Sequence, residues 1–267
     1  MFGSMGWQTY SVAHPEAVQE ICGTKVNLIQ ELPKQLDGTN IGSAGPNNIQ
    51  VPKSACLGIL GLTGLTAHIA LTKVAQAQAG ETLVVSSAAG QIGHLVGQIG
   101  KILGLHVIGY TGDGEKASWI KLDLGFDWAF NHKTQDVNQT LKIAAPKGVD
   151  IFIDAVGGKF HQSVMSHMNF GGRIVQLGNL ARYDNPGEID SYPSQDLAIT
   201  LKALTITGFN LFKYSEHFED TLDELSELCR SGKLQAHEHV LEGFENMPKA
   251  LVEQLEGSSQ GKVIVRV

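Results

Sequence analysis

From residue 80 onward the apolar positions follow two alternating rhythms. Short β-rich runs recur at 82–87 (TLVVSS), 106–110 (HVIGY), 128–131 (WAFN), 149–154 (VDIFID), 172–177 (GRIVQL) and 204–209 (LTITGF). Between them lie stretches with apolar residues three and four apart. In 91–103 these are Ile92, Leu95, Val96, Ile99 and Leu103, and 115–124, 134–145 and 160–168 behave similarly. Continuous apolar runs mark strands buried on both faces, and three-four spacing marks amphipathic helices. Strands separated by helices of this length predict right-handed βαβ units on a parallel sheet. Six such strands match an α/β, doubly wound dinucleotide fold.

The two ends of the chain read differently. Residues 1–53 are rich in loop formers, with Gly38, Gly42, Gly45, Pro46 and Pro52, and carry only weak strand signals at 7–12 and 25–29. Residues 233–267 hold a run at 235–241, a helical stretch at 245–255 and a final KVIVRV strand at 262–267. These ends are expected to be pieces of a second, smaller β-rich lobe, so the expected division is 1–53, 54–232 and 233–267. The acidic segment 216–227 has Phe218, Leu222 and Leu225, with Leu228 beyond it, at helical spacing and predicts a helix with one solvated face.

Composition narrows the function. Of 267 residues 42% are apolar and 18% charged, which excludes global disorder. The net charge of −7 offers no basic footprint, so neither a nucleic acid nor an anionic membrane is an expected partner. The most apolar stretch, 57–71, is interrupted by Thr63, Thr66 and His68 and is shorter than a membrane span. The N-terminal MFGSMGWQTY lacks the basic and apolar regions of a secretory signal. Cys22, Cys56 and Cys229 are too sparse for a disulfide framework, so a reducing, cytoplasmic location is expected. Glycine is in excess, 31 of 267 residues or about 12% against a usual ~7%, which points to tight strand-to-helix turns.

One such turn carries chemistry. After TLVVSS come Ala88, Ala89, Gly90, Gln91, Ile92 and Gly93, with Gly97 four residues on. This is G-x-G-x-x-G with alanine at the first position, set between a predicted strand and a predicted helix. A residue without Cβ at 90 lets a pyrophosphate approach the backbone, and Gly93 lets the helix lie close to the sheet. The free N–H groups and dipole at the helix start then hold the diphosphate. An NAD site places Asp or Glu at the end of the second strand to bond the ribose hydroxyls. Here Tyr110 and Thr111 stand at that point, and Lys116 follows within a short helical turn, which favours NADP.

These residues resemble the zinc-independent medium-chain dehydrogenases/reductases, and within them the prostaglandin reductase, leukotriene B4 12-hydroxydehydrogenase and alkenal–enone reductase group. The resemblance is carried by LGLTGLTA at 60–67, AAGQIG at 88–93, VGQI at 96–99, LGFD at 124–127, FNHKT at 130–134, DAVGG at 154–158, GFENMP at 243–248 and GK at 261–262. It extends over roughly residues 5–267, and GFENMP together with LGFD-x-x-FN is its specific part. It implies a six-stranded Rossmann sheet with remnants of a smaller, GroES-like lobe. The segment at 6–10 resembles a stretch already well inside that lobe, so much of the lobe's N-terminal part is expected to be missing.

The resemblance also implies cofactor contacts. Ala89, Gly90, Gln91 and Ile92, beside Gly93, would meet the diphosphate; Lys116 and His132 the 2′-phosphate; Leu177, Gly178 and the loop to Tyr183 the nicotinamide. Phe209, Asn210, Leu211 and Ser259 complete the set. Four positions depart from the group's pattern: His132 stands for a usual tyrosine, Ala155 and Ser259 for asparagines, and Phe212 for a tyrosine. A histidine still donates to phosphate, with more pH dependence. Asp154 carries two open readings, a carboxylate at the site or part of a strand-to-helix turn.

The implied reaction is NADPH-dependent reduction of the conjugated double bond of an α,β-unsaturated ketone or aldehyde, such as a 15-oxo-prostaglandin or an alkenal. Charge then develops on the carbonyl oxygen, where donors lower the barrier. Tyr183, following the loop expected to pass the nicotinamide, is the candidate catalytic donor. No metal site is expected, because neither His161 with His167 nor His237 with His239 has cysteine support. The alternatives are an NADPH quinone reductase of the same superfamily and a truncated, inactive nucleotide-binding protein. Relatives commonly form dimers through the sheet edge, and LTITGF is the candidate edge for a homodimer.

Overall fold

The computed structural model describes residues 53–182 and 196–267, together with the short paired strands Glu20–Ile21 and Thr24–Lys25. Its centre is a six-stranded, wholly parallel sheet. The strands are β1 (Thr82–Val85), β2 (His106–Thr111), β3 (Trp128–Asn131), β4 (Val149–Asp154), β5 (Met168–Gln176) and β6 (Thr205–Gly208). They lie in the order β3-β2-β1-β4-β5-β6. The chain builds outward from β1 to β3, then returns to the other side of β1, so the order reverses between β1 and β4. That reversal leaves a crevice at the carboxyl ends of the two strands.

Side chains alternate between the faces of this sheet, as pleating requires. Leu83, Val85, Val107, Ile151 and Ile153 enter one core with Leu95, Val96 and Ile99 of α2 (Gly93–Ile102) and Ile120 of α3 (Gly114–Leu122). Val84, Ile108, Tyr110 and Phe152 enter the other with Leu141 of α4 (Val137–Ala144) and Val164 and Met165 of α5 (Gly158–Ser166). Helix α2 lies so close to the sheet that a Cβ at Gly97 would fall 1.8 Å from the Phe126 ring and one at Gly100 2.8 Å from Leu83.

The apolar stretch at 57–71 contributes a buried helix, α1 (Leu62–Ile69), continued by a wider turn at Ala70–Val74 and packed between α2 and α7 (Phe218–Arg230). Between β5 and β6 the chain forms α6 (Asp196–Lys202), none of whose residues is buried. Beyond α7, β7 (Glu238–Glu242) and β8 (Lys262–Arg266) form a separate two-stranded parallel sheet joined through α8 (Met247–Glu256).

Element boundaries move where side chains compete for backbone groups. The helix expected from 134 starts at Val137, because the Asp136 carboxylate accepts from the Gln139 N–H at 2.8 Å and caps it. The helix expected from 91 starts at Gly93, since Gln91 and Ile92 belong to the turn before it. The strand expected from 172 begins at Met168, and the helix expected to reach 168 ends at Ser166. The expected strand at 7–12 lies outside the described residues, as does 25–29 beyond Lys25.

Candidate active site

At the reversal point β1 runs into a tight turn. Ser87 takes a positive φ of 48°, and the Gly90 N–H returns to the Ser87 carbonyl at 2.9 Å. A Cβ at Gly93 would stand 2.3 Å from that carbonyl oxygen and 2.7 Å from the Ala88 Cα, so only glycine lets α2 begin there. At Gly90 the added atom would meet the Ser87 hydroxyl at 2.9 Å. The backbone N–H groups of Gln91, Ile92 and Gly93 find no backbone acceptor among the described residues, as expected for the first turn of a helix. These three residues line a cleft of about 390 Å³, within the range of small-molecule sites.

The turn is braced from the far end of the sequence. The Gly261 N–H donates to the Ala89 carbonyl at 2.8 Å, and the Lys262 ammonium donates to the Gln91 side-chain oxygen at 2.9 Å. His94, 2% exposed, places Nδ1 2.8 Å from the Gly90 carbonyl oxygen.

One end of the cleft is cationic. Thr111 and Gly112, at the end of β2, line it with Lys116, His132 and Lys133. Asp113, the nearest carboxylate in sequence, turns away to cap α3 by accepting from the Glu115 and Lys116 N–H groups. The Lys116 ammonium donates to the carbonyls of Gly257 and, at 2.7 Å, Ser259. Burial pushes its pKa down, Asp113 opposes that shift, and Lys133 adds to it. Burial, reinforced by Lys133, also lowers the pKa of His132. A Cβ at Gly112 would stand 3.0 Å from Lys133 Cε, so the Lys133 stem passes over this turn.

Lys133 is the residue sequence reading missed. The signal lay in the topology: β2 and β3 pair in parallel with Thr111 opposite Asn131, which brings the residues following each together.

The other end is apolar, lined by Ala155, Val156, Leu177, Gly178 and Leu180 from the loops after β4 and β5. Asp154, fully buried, holds these loops in place. Its carboxylate accepts from the Ser86 hydroxyl (2.9 Å), the Val156 and Gly157 N–H groups (2.9 and 3.1 Å), His161 Nδ1 (2.7 Å) and Gln176 Nε2 (3.3 Å). Burial alone would raise its pKa; the bonds from His161, Gly157 and Val156 outweigh that and hold it below the usual carboxylate range. The main chain locks the same loops together, with Leu177 N–H donating to the Asp154 carbonyl at 2.7 Å and Leu180 N–H to Ala155 at 3.0 Å.

The expected site residues therefore separate. Ala89, Gly90, Gln91, Ile92, Gly93, Lys116, His132, Leu177, Gly178 and Ser259 line one cleft. Phe209, Asn210 and Leu211 are not among its lining residues. Phe209 stacks on Tyr214 with ring centroids 5.7 Å apart, the Asn210 side chain accepts from the Phe212 N–H, and Leu211 is buried against Leu65 and Ile69. Tyr183 lies outside the described residues. Among the described residues no group of three or more His, Cys, Asp or Glu side chains is arranged to hold a metal ion, and no helix is long and apolar enough to cross a membrane.

A doubly wound parallel sheet with a glycine turn and a bare helix start at its switch point defines a dinucleotide-binding domain. Comparison with known proteins makes the class narrower. Residues 92–227 match the family described as zinc-binding dehydrogenase. Prostaglandin reductase 1 of Bos taurus is 36% identical over 98% of this chain and 73% of its own length. The NADP(+)-dependent 2-alkenal reductase of Nicotiana tabacum is 34% identical over 100% of this chain and 71% of its own. The NADPH-bound structure of CurA from Vibrio vulnificus superposes with a TM-score of 0.78 at 33% identity, covering 82% of this chain and 66% of CurA. The chain belongs to the zinc-binding dehydrogenase family, on the branch that holds the prostaglandin and alkenal reductases.

Proposed function

We propose that this chain is an NADPH-dependent reductase of the conjugated carbon–carbon double bond in α,β-unsaturated ketones and aldehydes. The observation that carries the reading is the polarity of the cleft, with bare helix N–H groups at the turn, two ammonium groups beside the end of β2, where Asp113 is engaged in capping α3, and an apolar wall after β4 and β5. The kinship with prostaglandin and alkenal reductases supports the substrate class.

In this reading the Gln91, Ile92 and Gly93 amides hold the diphosphate, and Lys133, Lys116 and His132 hold the 2′-phosphate, for which ammonium groups suit a dianion. The nicotinamide, when bound, supplies the hydride that adds to the β-carbon of the substrate. Ala155, Val156, Leu177 and Gly178 exclude water beside it, which strengthens electrostatic interactions there. Tyr183 is the proposed hydrogen-bond donor to the carbonyl oxygen on which charge develops.

The test is NADPH oxidation by the purified chain with a 15-oxo-prostaglandin, a long-chain alkenal and a quinone. Turnover of the first two and not the third is expected. Turnover of the quinone alone moves the chain to the quinone reductases, and tight NADPH binding without any turnover marks an inactive binding protein. Loss of kcat in Tyr183→Phe is the expected mark of the donor role.

The same reading assigns residues 1–53 and 233–267 to a substrate lobe beside the dinucleotide domain at 54–232; the separate β7–β8 sheet supports this. It places the chain in the cytoplasm, consistent with Cys56 and Cys229 being free thiols. It also pairs two copies through β6, the last strand of the sheet, where Ile206 is exposed. Light scattering on the full chain tests the pairing: a dimeric mass is expected, and a monomeric one rules it out.

A further inference from the structure

A second, smaller cavity lies in the seam between the diphosphate turn and the C-terminal strand pair. Its volume is about 10 Å³, and its wall includes Thr63, Gln91, His94, His237, Glu238 and Lys262. A hole of this size matches a single water molecule, provided that polar partners line it.

They do, and their chemistry is one-sided. Nε2 of His94 and Oε1 of Glu238 are both buried and both lack a hydrogen-bond partner. His94 sets Nδ1 2.8 Å from the Gly90 carbonyl. A carbonyl oxygen only accepts, so Nδ1 carries the proton. Burial pushes the pKa of His94 down to about 4, which keeps the ring neutral near pH 7 and leaves Nε2 as a lone-pair acceptor. The Glu238 carboxylate already accepts from the Ser54 hydroxyl at 2.8 Å through Oε2, and Oε1 is a further acceptor. Two buried acceptors thus belong to one wall without a donor to either, an arrangement that buried polar groups avoid.

We propose that one structural water occupies this cavity, donating one hydrogen to Nε2 of His94 and the other to Oε1 of Glu238. Water is the small neutral species that gives two hydrogens at once while its oxygen still accepts. Lys262, whose ammonium donates one bond to Gln91 Oε1 at 2.9 Å, stands in the same wall with further N–H groups to offer that oxygen.

The position of the water gives it a mechanical consequence. Glu238 opens β7 and pairs with Lys262 of β8, whereas His94 sits in the first turn of α2. The water therefore ties the C-terminal strand pair to the ring that holds the Gly90 carbonyl, backing the turn whose amides face the cleft. His94 is a positioning residue in this arrangement.

The direct test is a crystal structure of the full chain at a resolution that resolves ordered solvent. One peak within about 2.7–3.2 Å of both atoms is expected. An empty cavity, or a Glu238 side chain turned to bond His94 directly, overturns the proposal. This arm stands whether or not nucleotide binds, so its failure is distinct from failure of the reductase reading.

In His94→Phe the peak is expected to vanish and the NADPH dissociation constant to rise about tenfold, as for the loss of one or two net hydrogen bonds. An unchanged constant refutes the positioning role. Should that variant not fold, the long-range ¹H–¹⁵N spectrum of the wild-type chain decides. The Nδ1–H tautomer of His94 with a hydrogen-bonded Nε2 is expected, and an Nε2–H tautomer is incompatible with the water described.

Discussion

Removing the Asp154 carboxylate is expected to loosen the nicotinamide end of the cleft and to destabilise the whole domain. Five groups donate to this one side chain, and three of their residues, Ser86, Gly157 and His161, are buried. Stranding a buried donor costs about 1–3 kcal/mol. Val156 and Gln176 are half-buried and regain water, so the expected loss for Asp154→Ala is about 3–5 kcal/mol rather than the full sum. Asp154→Asn is milder, about 1–2 kcal/mol. Its amide oxygen still accepts from Ser86, Val156 and Gly157, and His161 adapts by moving its proton to the other nitrogen. Equilibrium urea unfolding followed by tryptophan fluorescence measures both. The pH dependence has a definite sign. Because the folded carboxyl is held below the ordinary range, its contribution is complete above the unfolded pKa of about 3.9 and disappears as pH falls through the depressed folded value. Wild type and Asp154→Asn should therefore converge only in acid. A loss below about 1 kcal/mol in Asp154→Ala, or the reverse order of the two variants, refutes the view that this carboxylate organises the loops after β4 and β5.

Three further outcomes follow from the same geometry. Lys133→Ala should raise the KM for NADPH about tenfold and leave that for NADH nearly unchanged, the size of one charge-assisted hydrogen bond; equal effects on both cofactors remove Lys133 from the 2′-phosphate site. Gly93→Ala forces a Cβ to 2.3 Å from the Ser87 carbonyl and should abolish measurable NADPH binding while destabilising by about 1–3 kcal/mol; calorimetric titration that finds wild-type affinity contradicts the tight turn. His94, with a folded pKa near 4 against 6.5 unfolded, makes the unfolded state the better proton binder in that window. Stability should then fall as pH drops from 6.5 to 4, by up to roughly 3 kcal/mol, and the slope should flatten in His94→Phe; parallel pH profiles rule this out.

The sheet was legible because its signal is redundant. β4 starts and stops at the residues expected, since a strand buried on both faces leaves little freedom in where its apolar run ends, and β3, at the sheet edge with only Phe130 buried, also keeps its expected bounds. The glycine turn after β1 was legible for a related reason: glycine spacing, a preceding strand and a following helix all point to one local geometry. The cationic end of the cleft was less so. Lys116 belongs to the cleft, yet its ammonium is engaged by the carbonyls of Gly257 and Ser259, some 140 residues away, which no local pattern encodes. Lys133 became visible only through strand pairing. Phe209 and Leu211 carry a different ambiguity, since an apolar residue after a strand fits a core as well as a cofactor wall, and the contacts they make here are with Tyr214, Leu65 and Ile69.

These long-range ties argue that the dinucleotide cleft is not a property of the βαβ run alone. Gly261 pairs with the turn through Ala89, Lys262 reaches Gln91, Gln98 bonds the Gln235 backbone in both directions, and the turn at 257–259 receives Lys116. Each tie joins the glycine turn, α2 or the first turn of α3 to the segment 235–262, so the backbone around the cleft is braced by residues that follow the sheet in sequence. A helix N-terminus binds an anion well only when its N–H groups are already aimed, because aiming them during binding consumes the interaction energy. The segment 235–262 is placed to supply that aim. Its removal should weaken NADPH binding while leaving the order of the six strands intact, which separates the scaffold that makes the fold from the brace that makes the site.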